Sequence, residues 1–470
     1  MGKLPIIIAA TANLLFLLTG VIPYDQQQHI HYFNLAEAGE VECIDYDQTE
    51  NTIITINCNA SFLDVVQAID DDLEILENLG DGEYILSANL EVADGITFEM
   101  TSSNQDDSLQ YLKLAGENGI IVHGTILIND VKITSWDVSD EDVIQQDFDG
   151  SIRRAYIQFD GSEDSQIINS EFGYLGDVEP GRRGFDLFGE GPTHDMVIRD
   201  SKFHDMWFAF YSNSAYNITV DGNEYYNNIR YALDPHTTTH DMSITNNYLH
   251  HNPIGVICSD RCSNILIEGN RIEHNTDHGI FFSRNMYDSI ARNNYIYNTT
   301  SGITVSESPN NQIYNNTIEG ATSQGIRLFN PPVPDDGVTE GNIVYNNVIT
   351  SSEDGIAAAR SHDNILENNM FSNIQSNEYS LSGDSSIIIR EQHFDNALIA
   401  QEGSSTENVV EIVDSGIIEV TEGETDEDDD DDGGGDEEEE EGEGELYNTY
   451  NEPFRRTLSD GDSITVNSLS

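Results

Sequence analysis

Asn246-Asn247-Tyr248-Leu249-His250-His251-Asn252 returns 23 residues later as Gly269-Asn270-Arg271-Ile272-Glu273-His274-Asn275, and again as Asn293-Asn294-Tyr295-Ile296-Tyr297-Asn298. Working outward, Asn223, Asn247, Asn270, Asn294, Asn316, Asn347 and Asn369 occupy equivalent places, at spacings of 24, 23, 24, 22, 31 and 22 residues. The long step contains the insert 330–337, rich in Pro and Asp. Ser201 and Ser170 extend the series upstream, and the loop-like stretch 176–191 lies between them. Short β-branched runs on this period, with Asn or Gly at the corners, read as a parallel β-helix. Asn tolerates a left-handed corner and can ladder its amide from coil to coil. The Leu framework of leucine-rich repeats and the 3.6-residue apolar period of helical repeats are both missing.

The register follows. Eight or nine residues after each marker stands a small residue: Ala209, Ala232, Gly255, Gly279, Gly302, Gly325, Gly355. Alternation then sends Leu233, Val256, Ile280, Ile303, Ile326 and Ile356 inward, with Pro235, Cys258, Phe282, Val305, Leu328 and Ala358 two residues on. Between them Tyr211, Asp234, Ile257, Phe281, Thr304 and Arg327 point outward, followed by the row Asn213, His236, Ser259, Ser283, Ser306. The residues ahead of the small ones include Tyr231 and His278. The segment Tyr231-Ala-Leu-Asp-Pro-His236 therefore presents a phenol, a carboxylate and an imidazole on one outer face. Coils stack about 4.8 Å apart, so His278, two coils on, stands across a gap that a sugar ring fits. An extended polymer is the expected ligand.

The whole chain is expected to be all-β, with a short N-terminal helical cap and a disordered acidic C-terminal segment. Its expected parts are a signal peptide (1–38), a cap region (39–82) with a helical stretch from Asn59 to about Ile75, the β-helix (83–415), an acidic linker (416–445) and a tail (446–470). Lys3 before the apolar run 4–21, with Ala36-Glu37-Ala38 offering a small-x-small cleavage site, supports export. No other segment approaches membrane length, so no stable insertion is expected after signal removal. In an exported body Cys43 and Cys58 form a plausible staple, whereas Cys258 and Cys262 suit free thiols or a bridge equally. Paired CxxC spacing is absent, which argues against zinc. Asn59, Asn217, Asn298 and Asn315 sit in glycosylation-type triplets, a weak pattern in an Asn-rich chain.

Acids number 86 against 19 basic residues, for a formal net charge of −67. The Asp/Glu/Gly run 422–445 cannot build a core and should be solvated. It holds seventeen acids, so most of the excess charge lies on the folded body. Such a surface excludes nucleic acid as a partner. It suits high salt, surface calcium or plain solubility.

Tyr231-Ala-Leu-Asp-Pro-His236 resembles the Tyr-Gly-x-Asp-Pro-His motif of the mannuronan (alginate) C5-epimerases, with Ala232 at the usual Gly. Asp277-His278-Gly279-Ile280, with Ser283-Arg284 and Asp288-Ser289, resembles that family's second His-Gly segment. The resemblance implies a right-handed helix. It also implies Tyr231 and His236 as the acid/base pair, with Asp234 and His278 as supporting active-site groups. Two positions depart from the family pattern: Thr237 follows the Asp-Pro-His, and Asp277 stands where a basic residue usually precedes the second His. Asp277 removes a cation from the place where a substrate carboxylate needs neutralising, and Arg230, Arg261 or Arg284 could supply one.

A uronate C5 proton is weakly acidic, so its removal needs the carboxylate charge countered. One group then takes the proton and another returns one to the opposite face. Candidate substrate-binding residues are Tyr211, Arg230, Asp260, Arg261, Phe281, Arg284 and Arg327. No residue is assigned to a metal and no cofactor is required, although calcium could assist. The expected protein is a monomeric, extracellular or cell-surface C5-epimerase of an anionic, uronate-containing polysaccharide. Alternatives on the same scaffold are a polysaccharide lyase or a non-catalytic adhesion rod.

Overall fold

The computed structural model describes residues 42–47, 52–69, 75–102, 108–334 and 337–390, and six strands beyond them. The expected signal segment and the acidic run 424–445 lie outside the described residues. Cys43 onward forms one unit, a parallel β-helix whose three sheets stack successive coils in register. One coil shows the plan: His240–Thr245 in sheet B, Tyr248–His250 in sheet C and Ile254–Ser259 in sheet A. Each strand pairs in parallel with its equivalents one coil away, for example Leu233↔Val256 and Val256↔Ile280.

The corners explain the Asn signature, and they split its two jobs between neighbours. Asn246, Asn293, Asn315, Asn346 and Asn368 adopt positive φ (51–56°), the conformation Asn accepts more readily than most residues. The residue after each is the buried one. Asn247 donates to Asn270 Oδ1 from both its backbone N–H (2.9 Å) and its side-chain amide (3.0 Å). The pattern repeats from Asn223 through Asn347 to Asn369. Ser170 and Ser201 continue it upstream through a hydroxyl and the Asn223 carbonyl. Two further ladders occupy the other corners, Asn228–Asn252–Asn275 and Ser289–Asn311–Asn342–Asn364. The sequence reading did not register them as ladders.

The small residues that open each sheet A strand answer to a steric limit. A methyl on Gly302 would lie 2.4 Å from the Gly325 carbonyl and 2.6 Å from Ile318 Cγ2. Inside, the expected apolar rows are all buried, Leu233, Val256, Ile280, Ile303 and Ile326 completely so. Phe172, Phe203 and Tyr225 stack ring on ring along the axis, at 5.0 and 4.9 Å between centroids.

Both ends differ from the expected boundaries. Coils begin before residue 83, since Ile53–Ile56 already pairs in parallel with Asn89–Val92. The helix is shorter than the 59–75 expected. It spans Phe62–Ala68 and is held by a reciprocal Ser61/Asp64 capping box, with Phe62 and Val65 buried in the first coil. Cys43 and Cys58 are disulfide-bonded beside it, and Cys258 and Cys262 are free and buried. At the other end the strand Ile418–Gly423 lies inside the stretch read as linker. It pairs antiparallel with Ser463–Ser468, while Phe454–Leu458 pairs with Asn408–Ile412. The tail folds back on the last coils because 418–422 and 463–467 carry strand-type alternation, and the open sheet edge offers them unpaired backbone. Among the described residues no helix is long and apolar enough to cross a membrane.

Candidate active site

Tyr231–His236 is one strand of sheet A. Its neighbours put Tyr211 beside Asp234 and Asn213 beside His236 on one side, and Ser259 beside His236 on the other. Two coils beyond Tyr231 begins the His278–Ser283 strand. Tyr231, Asp234, His236 and His278 thus share the outer wall of sheet A. Asp234 alternates with the core residues Leu233 and Pro235, yet it is 3% exposed. Neighbouring side chains cover it, so the repeat phase gives its face but not its depth. Tyr211, Ile257 and Thr304 in the same outward row are buried in the same way.

His236 organises one end. Arg284 reaches back across two coils and donates from Nη2 to His236 Nε2 at 3.1 Å and to Ser259 Oγ at 2.8 Å. A guanidinium has no acceptor, so Nε2 carries the lone pair and Nδ1 the proton, which is donated to Thr237 Oγ1 at 2.7 Å. Burial, then the charge of Arg284, pushes the imidazole down to about 4 against a weaker opposite pull from Asp260. His236 is therefore a neutral base at neutral pH. Its ring stacks on Tyr211 (5.5 Å), and the Arg183 guanidinium lies 3.9 Å from the centroid of the Tyr211 ring.

Asp234 is held in its acid form's favour. Burial raises it well above the usual carboxylate range, and Arg183 and Arg284 offset this only in part. Its Oδ1 has no partner. One coil upstream of Tyr211, Asp186 is equally enclosed. Burial pushes it up to about 7, although Arg183 pairs with it at 3.5 Å.

Tyr231 stands at the other end of the strand, edge-on to Phe208 at 5.2 Å. Burial, then Asp234, raises its phenol, so it keeps its proton. Five residues of strand separate it from His236, roughly 16 Å between α-carbons. Asp234 lies between them in the same strand. Arg230, next to Tyr231, lies between Trp207 (4.8 Å) and Phe148 (5.2 Å). Among the described residues no carboxylate pairs with Arg230 or Arg284, so both guanidinium charges are uncompensated by a direct ion pair.

The remaining expected residues divide. His278 packs on Phe281 (4.6 Å), its Nδ1 meets Thr304 Oγ1 at 3.1 Å, and Asp277 sits 3.4 Å from its Nε2. Burial lowers its pKa, with Asp277 opposing and Arg327 assisting. Arg327 lies over Phe329 at 3.9 Å. Asp260 and Arg261 pair with each other (3.0 Å) at the corner after Ser259. Arg183 and Asp186 are not among the residues expected from the sequence, and Thr237 is noted there only as a departure from the family pattern, not as the partner of His236. The scarcity of cations could have flagged Arg182-Arg183, but their loop lies outside the repeat. Among the described residues no group of three or more His, Cys, Asp or Glu converges as a metal site.

Replacing Arg284 by Gln is expected to move the acid limb of the pH–rate profile. In the native protein a neutral His236 is lost as pH falls through about 4. Without the nearby charge the imidazole protonates more easily, so the limb shifts to higher pH. A profile with an unmoved limb would show that His236 is not the titrating base.

Comparison with known proteins bears on the fold. A family profile described as "right handed beta helix region" matches residues 187–331, which contain the wall. The mannuronan C5-epimerase of Pseudomonas aeruginosa is 28% identical over 186 residues, 37% of this chain and 33% of that protein. The mannuronan C5-epimerase AlgG of Azotobacter vinelandii is 27% identical over 182 residues, 36% of this chain and 33% of that protein. The chain thus spans about a third of the length of these curated relatives. The crystal structure of the periplasmic alginate epimerase AlgG superposes with a TM-score of 0.60 at 20% identity, covering 73% of this chain and 85% of that one. The chain is a right-handed parallel β-helix protein, similar over about a third of its length to mannuronan C5-epimerases.

Proposed function

We propose that this protein is a C5-epimerase of uronic acid residues in an anionic polysaccharide of the mannuronan type. The observation that carries the reading is the Arg284–His236 contact, in which a cation without a carboxylate partner is parked on the lone pair of a neutral imidazole. A substrate carboxylate draws Arg284 to itself and uncovers Nε2. The acid form of Asp234, covered beneath the wall, adds no negative charge against that carboxylate. His236 Nε2 then removes the C5 proton, and the protonated Tyr231 hydroxyl delivers one to the opposite face. Arg230 is placed to hold the carboxylate of a neighbouring unit. Calcium enters this reading only as a counter-ion for the acidic surface and the polymer.

The named activity of the relatives supports the assignment. Loss of the 4-linked neighbour after proton removal would instead make the same wall a lyase. Incubation with polymannuronate separates these outcomes. Guluronate signals by proton NMR with undiminished chain length are expected, whereas accumulating unsaturated ends would identify elimination.

Action outside the cytoplasm fits the apolar N-terminal run, the Cys43–Cys58 disulfide and the periplasmic location named for AlgG.

A further inference from the structure

Past His236 the outer wall turns the corner from sheet A to sheet B, and an open cleft of about 430 Å³ lies there. Three successive corners build it. Gly189–Pro192 forms one rim, with the Glu190 and Gly191 amides donating to Asp160 Oδ1 at 2.5 and 3.2 Å. Asn213 and Ser214 form the floor, and Tyr216, Thr238 and His240 complete it. Tyr216 and His240 stack on each other at 5.3 Å, and His194 continues the stack at 4.7 Å. Thr238 Oγ1 donates to Ser214 Oγ (3.1 Å), which donates to Asn213 Oδ1 (2.9 Å), so the lining is a relay of neutral hydroxyl and amide groups. The cleft continues the catalytic wall directly, since Asn213 pairs with His236 and Thr237 lies between His236 and Thr238.

Its charge is opposite in kind to that wall. Arg183, Arg230 and Arg284 stand around Tyr231 and His236, whereas no Lys or Arg lines the cleft and its one carboxylate is Glu190. A uronate carboxylate in this space would meet Glu190 with no cation to neutralise it. An uncharged sugar would meet hydroxyls, an amide and aromatic edges, the set that recognises neutral rings.

Resting on the epimerase reading of the wall, we infer that the cleft is a subsite for an uncharged hexosyl unit beside the uronate being processed. A polymer in which neutral sugars neighbour some of the uronates is then expected to bind more tightly than an unbroken polyuronate, which the wall still processes.

Binding tests this without depending on turnover. The probes are polymannuronate fragments and the same fragments with about half of their carboxyls reduced to primary alcohols, titrated calorimetrically into the full protein. The partially reduced fragments are expected to bind at least about fivefold more tightly, because like-charge contact is removed. Glu190→Gln should abolish the preference by improving binding of the unreduced fragments, and Thr238→Val should weaken binding of the reduced ones. Equal affinities in the native protein, a preference that survives Glu190→Gln, or no binding of either probe overturns the inference. Absence of C5 exchange with both probes, alongside the expected binding preference, would count against the epimerase reading and leave the subsite standing.

Discussion

The His236→Gln protein is expected to lose C5 proton exchange by roughly 10²- to 10⁴-fold, the usual contribution of a positioned general base. Gln matches the polar reach of the imidazole and can still accept from Arg284, but it cannot take up a proton. The fold should be unaffected. The Tyr231–His236 strand is fixed by backbone pairing on both sides and by the buried Leu233 and Pro235, none of which uses the imidazole. Oligosaccharide affinity should change little, because Arg183, Arg230 and Arg284 remain. The loss therefore falls in kcat rather than KM. Near-native kcat in the variant would remove His236 from the mechanism, and a parallel loss of melting temperature would mark it as structural.

The second large effect concerns the scaffold. Asn270→Ala is expected to cost about 3–5 kcal/mol, since several buried polar groups lose their partners together. Asn270 Oδ1 accepts from the Asn247 amide and side chain, while its own amide donates to the Ile244 carbonyl and to Asn294 Oδ1. None of these groups can turn to water. The adjacent corner position behaves differently. Asn246 is exposed at φ 55° and its amide donates to Asp221 Oδ1 at 2.8 Å in a solvent-facing bond that water can replace, so Asn246→Ala should cost mainly the strain of a left-handed alanine, about 1–2 kcal/mol. Urea unfolding of both variants measures the difference. Equal costs would mean that the Asn spacing reflects corner conformation alone and that the ladder contributes little.

How much of this was legible in the sequence depends on which kind of information the repeat carries. A period of about two dozen residues states which side chains share a wall, so the Tyr231–His236 strand and the inward row from Leu233 to Ile356 could be read directly. Depth could not. Asp234 lies in the outward row, but its burial and the charge that Arg183 brings from a loop without a counterpart elsewhere in the repeat are set outside its own strand. The Asn228–Asn252–Asn275 ladder went unread because its members follow residues as different as Asn227, His251 and His274, which hide the common corner. The antiparallel pairing of Phe454–Leu458 with Asn408–Ile412, and of Ser463–Ser468 with Ile418–Gly423, joins strands on opposite sides of the acidic run in sequence, and no local pattern announces which strands will meet. The cleft by Glu190 is assembled from three corners and belongs to none of them.

The central proposal is that His236 and Tyr231, on one wall, move the proton at C5. Incubating the purified protein with polymannuronate in deuterated water tests it most directly. The wall described here predicts deuterium at C5, no new unsaturated ends, and loss of labelling in both His236→Gln and Tyr231→Phe. Labelling that persists in both variants, or none in the native protein across a range of salt concentrations, would contradict it.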